Sequence, residues 1–395
     1  MSLRVAFLTS EFVTDRVSGG LANYVYRMTQ TLKRLGHEPE VFVGRLDDDI
    51  PDIAEHDGVR VEYAAVSRSL ALRGLIFLER RLLRSPLRGS TGYLATAFNL
   101  ARALERRHAE KPFDFIQSAD CRATGLFVRR MRNRPHLVRL SAHRGLWWSL
   151  DGENSTGAQF MAALERACVR RADIAYSPSR FVAECCRRTG WRHDVQVVRP
   201  PVFLETEPAS QLPPGVPARY LFHFGQIGVR KGSRLIASAC RIVCGKAPDF
   251  RMVWAGRETV RGEFEQCRSL MGDCAANVTW LGATSKNVVY AVLRHAAASV
   301  LPSLADNLPN TVLESLLAGV PVIGSAGASI DELVEPGRNG ELVPVGDVEA
   351  LAAAMLRVWR RDANSAKPGF QPPAILSEMA PERAATQLLR LAGVA

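Results

Sequence analysis

The chain has 395 residues, too many for one ordinary hydrophobic core, and predicts two domains. Its 47% apolar and 23% charged residues exclude a mainly disordered chain. Lysine and arginine number 51 against 40 acidic residues, and the formal charge of +11 favours anionic partners: phosphorylated ligands, nucleic acid or a membrane surface.

Short β-branched runs alternate with longer helical stretches, the pattern of an α/β fold on parallel sheets. In the first half, strands are predicted at 4–9, 40–43, 113–117, 136–140, 174–177 and 195–198, with a helix at 21–35 stopped by Gly36. Prolines 208, 213, 214 and 217 then block helix and sheet interior alike, which places a linker at 204–219. The alternation restarts with strands at 220–224, 251–255, 278–281, 298–301 and 321–324. Helices are expected at 233–244, 286–295, 310–317 and 348–359. The reading is two Rossmann-like domains, 1–203 and 220–375, facing a central cleft that holds the ligand at the carboxyl ends of the strands.

Eight cysteines form no C-x-x-C pair, so the expectation is buried free thiols in a reducing compartment. The apolar run near the N-terminus is too short for a signal-peptide core, and no run of ~18 uncharged apolar residues occurs. A cytoplasmic location is expected. Residues 67–107 carry nine arginines against two glutamates, interleaved with leucine, isoleucine and phenylalanine at 70, 72, 75–78, 82 and 83. Such a basic amphipathic stretch either lies on an anionic membrane surface or forms ordinary helices with solvated arginines.

The most informative stretch is PSLADNLPNTVLESLLAGVPVIG, 302–324. Pro309 suits a helix start, where Asn310, Thr311 and Val312 would offer backbone amides to a phosphate or diphosphate. Asp306 and Glu314, eight residues apart, could bracket an extended ligand, or could be a turn residue and a helix charge. A second stretch, FGQIGVRKG at 224–232, combines Gly225 and two further glycines with Arg230 and Lys231, positive charge for a diphosphate, though its spacing is neither dinucleotide fingerprint nor Walker motif. A third, Ser18 to Gly20 after the first strand, lets the backbone approach a phosphate or sugar, or simply turns.

Together and in this order, these stretches resemble the family-4 retaining glycosyltransferases of the GT-B fold. SGGLANYVYRMTQTLKRLGHEPEVF is similar to that family's Gly-Gly loop and following helix, FGQIGVRKG to its basic glycine loop, and DNLPNTVLES…GVPVIG to its paired-acid motif and Gly-x-Pro-Val-Ile run. The resemblance implies that Glu314 binds the nucleotide ribose and that Lys231 neutralises the diphosphate leaving group. Asn307, Leu308, Pro309, Asn310 and Thr311 would hold the donor sugar and diphosphate, with Gly225, Gln226 and Arg230 beside them. Gly19 and Gly20 would close on the same ligand. Arg257 and Leu281 would shape the base pocket, and a C-terminal helix at 376–395 would pack back on the first domain.

Three departures stand out. Asp306 is a methylene shorter than the family's glutamate, Gln226 replaces its phosphate-binding arginine, and Ser141 falls where it has a histidine, with His143 two residues on as a substitute. The implied catalytic set is Asp306, Lys231 and His143, and the implied mechanism is electrostatic, with no cofactor and no metal. The Asp-x-Asp at 47–49 reads as a solvated turn. Acceptor-site candidates are Asp120, Arg139, Trp147 and Trp148, tryptophan faces being suited to sugar rings or to core packing.

The expected partners are a nucleotide-sugar donor, UDP before GDP, and a glycan or lipid-linked acceptor, in polysaccharide or cell-envelope assembly. Residues 67–107 would rest on the inner face of a membrane, and no nucleic acid is expected. The alternatives are a catalytically inactive glycosyltransferase-like scaffold and a nucleotide-sugar epimerase.

Overall fold

The computed structural model describes residues 2–14, 19–45, 52–65, 74, 77, 90–129, 134–141, 143–144, 147, 155–361 and 370–394. The chain forms two compact units, Met1–Val202 with Ser377–Ala395, and Phe203–Leu376.

In the first unit the strands are β1 (Arg4–Thr9), β2 (Glu38–Arg45), β3 (Ile53–His56), β4 (Val59–Ala65), β5 (Phe115–Ala119), β6 (His136–Arg139), β7 (Ile174–Ser177) and β8 (Gln196–Val197). They form one sheet in the order β3-β4-β2-β1-β5-β6-β7-β8. All neighbours run parallel except β3 with β4. Every residue of β1 is buried, as a central parallel strand covered on both faces requires. Helices α1 (Gly20–Arg34), α2 (Ser90–Glu110), α3 (Thr156–Arg171) and α4 (Arg180–Arg188) follow the strands. Tyr24, Val25, Met28 and Leu32 recur at helical spacing on α1 and enter one apolar cluster with Val5 and Phe7. The C-terminal helix, Pro381–Leu391, puts Ala385, Leu388 and Leu389 into the same cluster. Each fully buried side chain of this size contributes roughly 1.5–3 kcal/mol.

In the second unit β9 (Leu221–Ile227), β10 (Met252–Glu258), β11 (Val278–Trp280), β12 (Ala298–Leu301), β13 (Val322–Ala326) and β14 (Gly340–Pro344) are all parallel, in the order β11-β10-β9-β12-β13-β14. Helices α5 (Ser233–Lys246), α6 (Glu263–Met271), α7 (Lys286–His295), α8 (Asn310–Leu317) and α9 (Val348–Arg360) complete it. Counted from its own first strand, this order is 3-2-1-4-5-6. The chain reverses direction across the sheet between β9 and β12, and ligands of such sheets bind beyond the carboxyl ends at that point. The matching reversal in the first unit lies between β1 and β5.

Three sequence expectations change. The β3–β4 hairpin was not anticipated; it turns at Asp57 and Gly58, both at positive φ (48° and 72°), as a two-residue type I′ turn needs. Strand β9 runs through Ile227, so Gly225 and Gln226 lie on the strand and the glycine loop begins only at Gly228. The expectation of free thiols fails for Cys244 and Cys274, which form a disulfide between the end of α5 and the turn after α6. Of the basic stretch, 67–73, 75–76 and 78–89 lie outside the described residues. Its last part is α2, where Arg106 and Arg107 pair with Glu62 and Glu40 of the sheet. Among the described residues no helix is long and apolar enough to cross a membrane.

Candidate active site

At the switch point of the second unit two loops leave the sheet side by side. The loop after β9 passes through a single 3-10 turn, Val229–Lys231, and enters α5 at Gly232 with φ +75°. A Cβ on Gly232 would stand 2.2 Å from the Pro302 carbonyl oxygen, so only glycine lets this loop lie against the one after β12. The Leu304 amide donates to Arg230 O at 2.8 Å, which joins the two loops directly. Lys231 Nζ thereby meets Asp306 Oδ2 at 2.5 Å, and both side chains are largely shielded from solvent.

Asp306 is itself braced. Its Oδ2 accepts from Ser303 Oγ at 3.2 Å and its Oδ1 from the Asn307 amide at 3.0 Å. Leu308 then takes φ +57°, a left-handed conformation that a branched residue adopts only when its surroundings enforce it. The enforcing group is Ser329. Its Oγ accepts from the Leu308 amide at 2.7 Å and donates to Asp306 O at 3.2 Å, from a loop where Ala328 and Ser329 are also left-handed. The outcome is that α8 starts after Pro309, whose own side chain makes no cap bond, with no acidic residue in its first turn, while the Val312 amide, expected to face a ligand, donates to Pro309 O at 3.1 Å. Such a helix start offers amides and the positive end of its dipole to an anion. Gly225 closes the same corner, since a Cβ there would lie 2.9 Å from Thr311 Cγ2.

Behind the glycine loop stands His223, buried in the sheet. Val300 O can only accept, so Nδ1 donates to it at 2.9 Å, and Nε2 accepts from Ser233 Oγ at 3.2 Å. Ser233 Oγ in turn accepts from the Gly228 amide at 3.0 Å. Burial pushes the His223 pKa down to about 4, so the imidazole is neutral and this chain keeps one polarity.

Glu314 lies further along α8, buried, and Tyr290 donates to it at 3.4 Å. The same hydroxyl lies 2.9 Å from Glu205, which also meets Lys286 at 2.7 Å. Arg257, on β10, lines a cavity of about 320 Å³ with Gly256, Glu258, Arg261, Trp280 and Ala283. Leu281 is not part of that lining; its amide donates to Trp254 O at 2.9 Å. Gln226 is exposed at the strand end and Arg230 half-buried.

In the first unit the predicted residues are mostly spent on the fold. Glu11, which the sequence reading passed over, accepts from the Gly19 amide at 3.2 Å and the Ala22 amide at 3.1 Å. Its carboxylate thus occupies the helix start where Gly19 and Gly20 were expected to meet an anionic ligand. Asp120 is fully buried, and its Oδ1 accepts from the amides of Cys121 and Ser141, both at 2.7 Å, tying the ends of β5 and β6 together. Arg139 stacks over the Tyr24 ring at 3.9 Å and donates to Ser141 Oγ at 3.0 Å.

His143 is no exposed loop base. It is 2% exposed, its ring centroid lies 4.4 Å from that of Trp191, and its Nε2 lies 2.9 Å from Thr189 Oγ1. Trp147 belongs to the apolar cluster around Val138, Leu140 and Trp191 rather than to a sugar-stacking face. Ser18, Asp47–Asp49 and Trp148 lie outside the described residues. Among the described residues no group of three or more His, Cys, Asp or Glu side chains could hold a metal ion.

The sequence model of the family "Glycosyl transferases group 1" matches residues 218–361, and that of the "Glycosyl transferase 4-like domain" matches 19–201. The chain belongs to the group 1 glycosyltransferase family. It is 28% identical over 141 residues to the amylovoran biosynthesis glycosyltransferase AmsK of Erwinia amylovora, covering 34% of each chain. To the phosphatidyl-myo-inositol mannosyltransferase of Mycobacterium leprae it is 31% identical over 134 residues, covering 34% of this chain and 35% of that one. The matched stretches span about a third of the length of these relatives. The crystal structure of Anabaena HepE in complex with UDP and glucose superposes with a TM-score of 0.71 at 15% identity, covering 100% of both chains. The fold is that of GT-B glycosyltransferases, with two Rossmann-like domains.

Proposed function

We propose that this group 1 glycosyltransferase moves a sugar from a nucleoside diphosphate donor, UDP-sugar before GDP-sugar, to a glycan or lipid-linked acceptor in polysaccharide or cell-envelope assembly, with retention at the anomeric carbon. The carrying observation is the Lys231–Asp306 pair set beside the start of α8 at the switch point. A cation and oriented amides meet the diphosphate there, and a carboxylate suited to sugar hydroxyls stands next to them.

In the reaction the bond between the anomeric carbon and the diphosphate oxygen breaks, and the acceptor oxygen bonds to that carbon on the same face. The acceptor proton passes to the departing diphosphate. Negative charge grows on the leaving group, so Lys231 and the α8 amides stabilise the transition state more than the ground state. Asp306 holds the lysine in place before the donor arrives and turns to sugar hydroxyls when the diphosphate takes its partner. Glu314, held by Tyr290, accepts from ribose hydroxyls. The names of the relatives support the acceptor class, one being named for amylovoran biosynthesis and one for phosphatidyl-myo-inositol. Such acceptors would bring the chain to the inner face of a membrane.

The test is a thermal-shift panel of UDP, GDP, ADP and their sugars on wild type and Glu314→Ala. At a ligand concentration of 100 Kd the native state gains ~2.7 kcal/mol, a shift that reads directly as donor class. Loss of the shift in the variant supports the ribose role. No response to any nucleotide overturns the proposal.

A further inference from the structure

A second concave surface lies in the first unit, away from its switch point, at the outer edge of the sheet. There β8 has only β7 as a neighbour, and the C-terminal helix runs beside it to enclose a groove of about 490 Å³. That volume lies in the range of small-molecule sites. The polar side chains on its wall are Arg180, Gln196, Arg199, Glu378, Gln387 and Arg390, three guanidiniums against one carboxylate.

These groups come from separate elements. Arg180 opens α4 immediately after β7, and Arg199 follows β8, so both stand at the carboxyl end of the sheet. Gln387 and Arg390 are three apart on the C-terminal helix and share one face. Arg199 is fixed and almost wholly buried: Nη1 donates to Pro178 O at 2.6 Å, and Nε is 4.0 Å from Glu378 Oε2. Glu378 is 57% exposed, so its charge is screened by solvent and offsets little of the field that the three arginines set up in the groove. One wall is apolar, formed by Val197, 36% exposed on the edge strand, and Leu391.

We propose that this groove binds the phosphate of a ligand that also carries an apolar group, with Arg180, Arg199 and Arg390 around the phosphate and Val197 and Leu391 against the apolar part. Planar guanidiniums bind phosphate oxygens in pairs, and three of them on separate elements surround a tetrahedral anion as a single basic patch on one helix could not. The same chemistry occurs in a phospholipid headgroup with the start of its acyl chain and in a free phosphorylated metabolite. Neither depends on the donor site, because every lining residue belongs to the first unit.

The experiment is calorimetric titration of the full chain with dihexanoyl phosphatidylglycerol and, separately, with inorganic phosphate. Wild type is compared with the Arg180→Gln/Arg390→Gln double variant, in which both altered residues are exposed and Arg199 is kept for the fold. The expected result is binding by wild type, with Kd raised at least about tenfold in the double variant through the loss of two charge-assisted contacts. A Lys231→Gln variant is expected to bind as wild type does. Tighter binding of the lipid than of phosphate is the expected result for a ligand with an apolar part, and equal binding overturns the role given to Val197 and Leu391. No binding of either ligand by wild type, or the same Kd in wild type and double variant, overturns the proposal.

Discussion

The two units place their switch points alike and furnish them oppositely. Beyond β9 and β12, glycine backbone, a lysine paired with Asp306 and a helix start with no acidic residue in its first turn converge. Beyond β1 and β5 the equivalent groups already have partners: Glu11 caps α1, and Asp120 accepts two backbone amides. The difference teaches that topology offers a ligand position in both sheets, whereas the two positions are furnished with opposite charge, a lysine beside the helix start in the second unit and a carboxylate on it in the first. In the second unit the loop that creates this condition is held by side chains outside it, Ser329 and His223, so its left-handed residues persist without a ligand.

The comparison is open to breaking, first at its strongest point. Lys231→Gln removes the one cation set against Asp306 and is expected to lower the transfer rate by about 10²–10³-fold in a donor-sugar assay. A loss below about threefold would move the diphosphate elsewhere.

Acid should act on both units at once, because each buries a neutral histidine. Burial lowers the pKa of His136 and His223 to about 4, from 6.5 in the free side chain. The unfolded chain therefore takes up these protons first. The stability is fully present above pH 6.5 and is lost as pH falls toward 4, by roughly 2 kcal/mol per histidine at pH 5. Urea midpoints at pH 7.5 and pH 5 measure this, and replacing His223 with Gln should remove its share of the slope.

Ser329→Ala leaves the buried Leu308 amide without its acceptor and should cost about 1–3 kcal/mol in urea unfolding, with KM for the donor raised as the α8 start loosens. The smallest effect belongs to Glu11→Gln. It keeps a cap oxygen but loses the charge, so a loss of ~0.5–1 kcal/mol is expected with donor affinity unchanged. A fall in donor affinity there would erase the contrast between the two units.

Most of the fold was legible because parallel strands buried on both faces read as apolar runs, as in RVAFLT and ASVL. The β3–β4 hairpin carries a turn signal in Asp57-Gly58, but β3 is four residues long and largely exposed and gives little hydrophobic signal. The disulfide was not legible, since Cys244 and Cys274 are 30 residues apart and only the packing of α5 against the turn after α6 brings them together. In the site, Asp306, Lys231 and Glu314 stood out by motif. Ser329 and Glu11 did not, because their work depends on which amides the fold carries past them. His143 and Trp147 read as loop residues in the sequence for the same reason, and become buried once Trp191 packs near them.

The central claim is that the second unit's switch point, and not the first's, holds the donor diphosphate. Calorimetric titration of UDP into wild type, Lys231→Gln and Glu11→Gln tests it most directly. The account predicts that Lys231→Gln raises Kd at least about tenfold, through the loss of one charge-assisted contact, while Glu11→Gln binds as wild type does. Equal affinities in wild type and Lys231→Gln, or weakening in Glu11→Gln alone, would contradict it.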